Sequence, residues 1–180
     1  MCFSMLAAYC IFYKLVVIMD IILQQNSDDD QVEDLLDIAF GVDRHDKASY
    51  TLRRNVDAID SLSFIVKNRS SLIATLRFWP ALVKDEPLLL LGPIAVLPEL
   101  QGQGIGIKLM LHGLMEATRQ GHKRVLLVGD ESYYKKVGFS RDVVKDIVLK
   151  GEADQNRLLG QELIKGSLRG LKGTLKNISG

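Results

Sequence analysis

A glycine-rich segment between a predicted strand and a predicted helix constrains this chain more than any other feature. Residues 92–109 read Gly-Pro-Ile-Ala-Val-Leu-Pro-Glu-Leu-Gln-Gly-Gln-Gly-Ile-Gly-Ile-Lys-Leu, and an apolar run at 88–91 precedes them. The apolar run predicts a buried strand, and residues 107–118 repeat apolar side chains at helical spacing. Glycine permits unusual backbone angles and close approach of a ligand, while a helix N-terminus favours negative charge. We therefore expect residues 101–106 to bind a phosphate or diphosphate; a tight connection without a ligand is the alternative.

The familiar phosphate-binding motifs do not fit this segment. A Walker A loop requires Gly-Lys-Ser/Thr, whereas Lys108 stands between Ile107 and Leu109. A dinucleotide-binding fingerprint requires a third glycine at the position that Ile107 occupies. Both nucleotide-binding classes are thereby excluded for this segment.

A second motif follows at a defined distance. Residues 124–128 predict another short strand, and Tyr134 stands four residues before the pair Gly138-Phe139. The segment Gln101-Gly102-Gln103-Gly104-Ile105-Gly106 resembles the Gln/Arg-x-x-Gly-x-Gly/Ala signature of the GCN5-related N-acetyltransferases (GNAT), in which a tyrosine is typical at the place of Tyr134. Leu-Gly-Pro-Ile-Ala-Val before the loop and Val-Gly-Asp before Tyr-Tyr are similar to the YhbS-like branch, over roughly residues 19–175.

The resemblance implies a fold and a set of site residues. The fold is a mixed α/β domain with a twisted, mostly antiparallel sheet that splays in the middle and has helices on both faces. Acetyl-coenzyme A is the implied donor, with its diphosphate in the glycine loop and its pantetheine arm beside the central strand. The implied cofactor-binding residues are Ile94, Ala95, Val96, Gln101, Gly102, Gln103, Gly104, Ile105 and Gly106.

Acyl transfer from a thioester to an amine needs a polarised carbonyl, a neutral amine and a proton for the departing thiolate. By resemblance, the backbone amides of Ala95 to Leu97 are candidates for the first role. A phenol with a pKa of about 10 is a suitable acid for the thiolate. Tyr133 would serve equally on chemistry alone, and the spacing to Gly138-Phe139 favours Tyr134 as the catalytic residue. Packing against Phe139 or the cofactor is the alternative role of Tyr134.

The remaining catalytic groups are less defined by the sequence. No residue stands out as the general base; Asp130 fits better as a helix N-cap. No Ser-His-Asp or Cys-His arrangement supports an acyl-enzyme, so direct transfer in a ternary complex is predicted. The three histidines are scattered without metal-ligand spacing, so no metal is expected.

The predicted function is transfer of acetyl from acetyl-coenzyme A to a primary amine of a small molecule or protein. One alternative is a non-catalytic acyl-coenzyme A sensor or scaffold, and another is a toxin-like acetyltransferase that acts on aminoacyl-tRNA. The net charge of +1 argues against nucleic acid or a membrane surface as a partner. A cytoplasmic protein is expected, and the oligomeric state stays open between monomer and homodimer.

The first residues differ in composition from the rest. Residues 1–18 are mostly apolar, contain both cysteines and have Lys14 as their only charge. They lack the order of charges and the cleavage site of a signal peptide. We interpret them as an extension, for which a misassigned start is one explanation and a membrane anchor the alternative. The N-acetyltransferase domain is expected to occupy residues 19–180.

Elsewhere the patterns predict simpler elements. We expect a strand at 20–25, a helix from about Ser27, and a short helix within 43–60. Strands at 62–67 and 72–78 form a predicted hairpin, followed by a loop at 80–87. After Phe139 one further strand and a loose tail are expected.

Overall fold

The computed structural model describes residues 20–69 and 71–179, and the predicted extension at 1–18 lies outside these residues. In chain order the α-helices and strands are β1 Asp20–Leu23, α1 Asp29–Phe40, α2 Ala48–Thr51, β2 Phe64–Asn68, β3 Ser71–Val83, β4 Glu86–Val96, α3 Ile105–Arg119, β5 Arg124–Val128, α4 Glu131–Tyr134, β6 Ile147–Val148, β7 Leu158–Glu162 and β8 Gly173–Asn177. Short 3₁₀ helices occupy Asn26–Asp28, Val42–Asp46, Asp60–Leu62, Pro98–Leu100, Lys135–Val137, Asp142–Val144 and Gln155–Arg157.

The strands form one mixed sheet with β4 in its centre. The main order is β1-β2-β3-β4-β5-β7, and β8 pairs with both β3 and β6. Neighbouring strands are antiparallel except for β4 with β5 and β6 with β8. This mostly antiparallel α/β arrangement is the fold expected from the resemblance.

Helices cover both faces of this sheet, as strand β2 demonstrates. Successive strand residues point to opposite faces. Phe64 and Val66 belong to the apolar cluster that contains Leu109 and Met110 of α3, whereas Ile65 between them packs with the buried residues of α1. Helices α1 and α3 therefore lie on opposite faces, as predicted.

The sheet opens between β4 and β5. These parallel strands pair only at Leu89 with Val125 and at Leu90 with Leu126. Beyond Leu90, β4 continues to Val96 along β3, while β5 continues along β7. The splay occurs at the cis Gly92–Pro93 peptide, where a proline has no N–H to donate to a neighbouring strand. One edge of β4 is consequently left without a partner strand among the described residues.

The predicted loop at 80–87 is wrong. Strand β3 runs through Pro80, which pairs with Leu89, and the hairpin turns at Lys84 with a left-handed φ of 54°. Because long apolar strands flank the turn, pairing with β4 outweighs the local preference of proline for a loop.

The predicted loose tail is also wrong. Three strands follow Phe139, and the last of them, β8, pairs with Ala81 to Val83 of β3. Leu158, Leu168 and Leu175 in this region are buried against the sheet. These pairings join residues far apart in sequence, so local patterns carry little signal for them.

Candidate active site

The glycine loop turns from β4 into α3 through left-handed backbone conformations. Gly102 has φ 77° and Gly104 has φ 82°, and Gly104 is the residue that caps α3. A Cβ atom at either position would meet no atom within 4 Å, so both α-carbons face open space. A side chain here would be strained by the backbone and would project into the space where a ligand can approach.

A cavity of about 420 Å³ lies beside this loop. Its walls include Ile94 and Val96 of β4, the start of α3, and two tyrosines. The residues lining it are Ile94, Val96, Leu100, Gln101, Gly102, Gly104, Ile105, Gly106, Ile107, Tyr133, Tyr134 and Lys136. The N-terminus of a fifteen-residue helix and the lysine both favour an anion at this end of the cavity.

Two of the predicted cofactor residues do not line the cavity, and a third has a structural contact. Ala95 is buried with α1 on the other side of β4, and Gln103 is an exposed loop residue. Gln101 lines the cavity, and its side-chain Nε2 donates to the Val96 carbonyl at 3.1 Å. Gln101 thus fastens the loop to the end of β4.

The backbone amides at the end of β4 alternate in direction. The amide of Leu97 donates to the carbonyl of Ile73 on the β3 side at 2.9 Å, so Leu97 is unavailable to a ligand. Because successive amides of a strand point to opposite edges, Val96 and Ile94 direct theirs toward the open side and Ala95 toward β3. Of the amides predicted at 95–97, only that of Val96 faces the gap.

Tyr134 is held in place by its neighbours on three sides. Asp130 caps the short helix α4 by accepting a hydrogen bond from the amide of Ser132 at 2.9 Å, as the sequence predicted. The ring of Tyr134 packs edge to face with Phe139, with 6.3 Å between centroids, and also with Tyr133. On a third side the ring lies against Gly129.

The environment of Tyr134 favours the protonated phenol. Desolvation is the largest cause, and together with Tyr133 it raises the pKa of Tyr134 to about 12, although Arg157 and Arg53 act in the opposite direction. Removing a phenol from water disfavours the phenolate because the charged form loses more solvation. A protonated hydroxyl is the state that a proton donor requires.

Tyr133 occupies a different position. Its hydroxyl oxygen would lie 2.8 Å from a Cβ atom at Gly106, so it sits over the first turn of α3. The ammonium of Lys136 lies 5.4 Å from the Tyr133 ring centroid. Tyr133 lines only the loop cavity, whereas Tyr134 also lines a second one.

That second cavity, of about 510 Å³, opens on the other side of Tyr134. It extends between the splayed strands, where Gly92 and Pro93 face Val128 and Gly129, and it includes residues of the α2 region. Ile94 and Tyr134 belong to the walls of both cavities. Two small molecules can therefore approach one another at these two residues.

Several residues around the cavities escaped the sequence analysis. Lys136, Tyr50 and Arg53 line one cavity or the other but stand in no motif, and the polar stretch containing Arg53 gives no indication that its side chain is buried. Among these three residues, only Lys136 could have been found from the sequence, because it lies two residues after Tyr134 of the tyrosine motif.

Residues 20–69 and 71–179 contain neither a metal-binding cluster nor a membrane-spanning helix. No group of three His, Cys, Asp or Glu side chains there is arranged to hold a metal ion. No helix in this part of the chain has the length and apolarity needed to span a membrane.

Comparison with known proteins places these features in context. The model of the acetyltransferase (GNAT) family matches residues 30–139. A protein from Escherichia coli K12 named the uncharacterized N-acetyltransferase YjhQ is 28% identical over 121 residues, covering 65% of this chain and 67% of that protein. The uncharacterized N-acetyltransferase YhbS from the same strain is 25% identical over 148 residues, covering 81% of this chain and 87% of its own.

Solved structures show the same fold. The crystal structure of Escherichia coli YhbS in complex with CoA superposes with a TM-score of 0.75 at 22% identity, covering 88% of this chain and 89% of that one. A GNAT family acetyltransferase from Brucella melitensis in complex with acetyl-CoA gives a TM-score of 0.57 at 26% identity, covering 69% of this chain and 84% of that one.

Proposed function

The chain belongs to the GNAT family of acetyltransferases, and from that premise we propose that it transfers an acetyl group from acetyl-coenzyme A to a primary amine while both are bound. The observation that carries the proposal is the meeting of two cavities at Ile94 and Tyr134. One cavity has an anion-binding helix start, and the other is large enough for a small acceptor. A protein that only senses acyl-coenzyme A has no need of the second cavity.

The donor is assigned to the loop cavity. Its diphosphate would lie at Gly102, Gly104 and the first turn of α3, where left-handed glycines leave open space and the helix dipole favours anions. The pantetheine arm would run along the unpaired edge of β4 toward Ile94. Gln101 supports this site indirectly through the Val96 carbonyl.

The reaction needs stabilisation of the charge on the carbonyl oxygen, a proton for the departing thiolate and removal of a proton from the amine. This chain has candidates for the first two. The amine nitrogen attacks the thioester carbonyl, and the amide of Val96 faces the gap where negative charge develops on the carbonyl oxygen. The C–S bond then breaks, and the hydroxyl of Tyr134 gives its proton to the departing thiolate sulfur. The proton lost by the amine nitrogen reaches the phenolate oxygen of Tyr134, directly or by exchange through solvent, which restores the protonated phenol.

Release of free thiol from acetyl-coenzyme A, measured with a panel of amines, amino acids and peptides, tests this function. Isothermal calorimetry on the same protein measures donor affinity independently. Donor binding together with amine-dependent thiol release is the expected result. Donor binding without turnover of any amine would favour a sensor, and no binding would remove the proposal.

A further inference from the structure

Arg53 is half-buried, and two of the three nitrogens of its guanidinium are buried without a hydrogen-bond acceptor in the described part of the chain. Its Nε and Nη1 atoms are inaccessible to solvent and form no hydrogen bond within the described residues. A charged group left in this state is costly, because it loses water without gaining a partner. Desolvation accordingly lowers the pKa of Arg53 to about 10, a value at which the side chain remains charged at neutral pH.

The surroundings of Arg53 hold it without satisfying its N–H groups. The guanidinium carbon lies 4.6 Å from the centroid of the Tyr50 ring and 5.9 Å from that of Trp79. These cation–π contacts stabilise the charge but offer no hydrogen-bond acceptor. Its Nη2 would lie 3.2 Å from a Cβ atom at Gly92, so the glycine lets the guanidinium approach the strand. The nearby carbonyl of Gly92 accepts a hydrogen bond from Trp79 Nε1 at 2.7 Å and none from Arg53.

Arg53 lies in the wall of the second cavity, together with Tyr134 and Gly92. The other basic residues there have interactions of their own. Arg157 Nη1 lies 3.9 Å from Glu152 Oε2, and Lys47 Nζ donates a hydrogen bond to the Phe40 carbonyl at 3.5 Å. Arg53 differs from them because two of its guanidinium nitrogens are buried without a hydrogen-bond partner among the described residues.

We propose that Arg53 binds a carboxylate of the acceptor, so that the acceptor is a small molecule of amino-acid type carrying both a carboxylate and a primary amine. This inference rests on the proposed acetyl transfer and specifies its second substrate. Nη2 is the guanidinium nitrogen that is not enclosed, and a carboxylate oxygen can accept a charge-assisted hydrogen bond from it. With the carboxylate at Arg53, the amine of the same molecule extends toward Tyr134, which lines the same cavity.

The charges in the cavity favour a carboxylate over a phosphate. A carboxylate carries one negative charge, which balances the positive charge of the Arg53 guanidinium. Asp46, Asp130 and Glu152 also line the cavity. Their carboxylates would repel a phosphate dianion more strongly, and they suit the ammonium of an amino acid.

Binding measurements with matched ligands test the proposal directly. The protein, saturated with coenzyme A, is titrated by calorimetry at pH 6.5 with L-amino acids, their primary amides and phosphoethanolamine. We expect the preferred amino acid to bind at least tenfold more tightly than its amide, as for a hydrogen bond to a charged group. Equal affinity of acid and amide, stronger binding of phosphoethanolamine, or no binding by any amino acid would each overturn the proposal.

Two variants separate binding from structure. Arg53→Gln should abolish the preference for the acid, whereas Arg54→Gln, the same change at the neighbouring exposed arginine, should retain it. The melting temperature of Arg53→Gln without ligand should be unchanged or higher, because a buried unpartnered charge is removed. A clear drop in melting temperature would show that Arg53 is structural and overturn the proposal.

Failure of this inference differs from failure of the proposed function. If acetyl-coenzyme A does not bind, the acetyltransferase assignment and the acceptor assignment fall together. If it binds and carboxylate-free amines release thiol as fast as amino acids in both the wild type and Arg53→Gln, only the role of Arg53 is overturned.

Discussion

The ring of Tyr134 lies so close to the α-carbon of Gly129 that a Cβ atom at position 129 would overlap the Cε2 atom of the ring. Gly129 follows the last residue of β5, and Tyr134 ends α4, so the contact fixes the helix against the end of the strand. The position of the proposed acid therefore depends on the absence of a side chain five residues earlier.

Gly129→Ala should displace the Tyr134 ring and reduce kcat by about tenfold or more, because small displacements of reacting groups are costly. The affinity for acetyl-coenzyme A, measured by calorimetry, should change little since the loop is untouched. If the effect acts only through the ring, the same substitution in a Tyr134→Ala background should add no further loss of kcat. Additive losses would contradict this explanation.

Tyr134→Phe tests the proposed acid itself. Removal of one hydroxyl with the ring retained should lower kcat on the order of 10²-fold and leave the KM for acetyl-coenzyme A nearly unchanged. Tyr133→Phe is the matched control, since its hydroxyl lies over Gly106 in the loop cavity. It should affect KM more than kcat. Equal kcat defects in the two variants would remove the acid role of Tyr134.

The pH dependence of kcat follows from the raised pKa of Tyr134. Because that pKa is raised to about 12, the phenol stays protonated throughout the neutral and moderately alkaline range. No descending limb from loss of the acid should therefore appear up to about pH 10, whereas an unperturbed tyrosine would be half ionised there. Steady-state rates between pH 6.5 and 10 measure this. A decline with an apparent pKa near 8 or 9 would implicate another group.

Gly104→Val should abolish acetyl-coenzyme A binding, because the side chain would enter the open space above the loop. The control is Gly121→Val near the other end of α3. Gly121 has φ 86°, close to the 82° of Gly104, and also faces open space, so the backbone strain is similar. The melting temperature should fall by a similar amount in both variants. Only Gly104→Val should lose the calorimetric signal of acetyl-coenzyme A binding. Loss of binding in both would attribute the effect to strain.

Asp28 should contribute to stability in a pH-dependent manner. A hydrogen bond from Lys67 at 2.6 Å is the main cause that lowers the pKa of this buried carboxyl below 3.8. Its stabilisation is present above the unfolded pKa of about 4 and is lost as pH falls through the folded value. Asp28→Asn should therefore lower the unfolding free energy by roughly 2 kcal/mol at pH 7, and by progressively less as the pH falls below about 4. Urea unfolding measures both, with the exposed Asp30→Asn as a control expected to change little.

The sequence predicted those parts of the site whose function depends on local chain geometry. The strand, the glycine turn and α3 are contiguous, and the left-handed conformations at Gly102 and Gly104 require the residue type that marks the motif. Likewise, α4 begins directly after its capping residue Asp130, which stands three residues before Tyr133. The apolar spacing did not decide burial, since Leu111 belongs to the apolar repeat within 107–118 and is 52% exposed.

The parts that the sequence did not predict depend on contacts between distant segments. Arg53 enters the second cavity because the α2 region packs near Trp79 and Gly92, and no local spacing indicates such a contact. The direction of the amides at 95–97 depends in the same way on the register between β4 and β3. The engaged amide of Leu97 could not be distinguished from that of Val96 without that register.

The separation of β4 from β5 beyond Leu90 also determines where the sheet can open locally. Past the pairs at Leu89 and Leu90, side chains such as Phe78, Leu127 and Leu159 join the two halves of the sheet by packing rather than by a backbone ladder. We therefore expect the amide protons of Ile94 and Val96 on the open edge to exchange with deuterated water faster than those of Ala95 and Leu97, which face β3. A ligand seated in the gap would act as a missing strand, slowing that exchange and raising the melting temperature in proportion to the logarithm of its concentration.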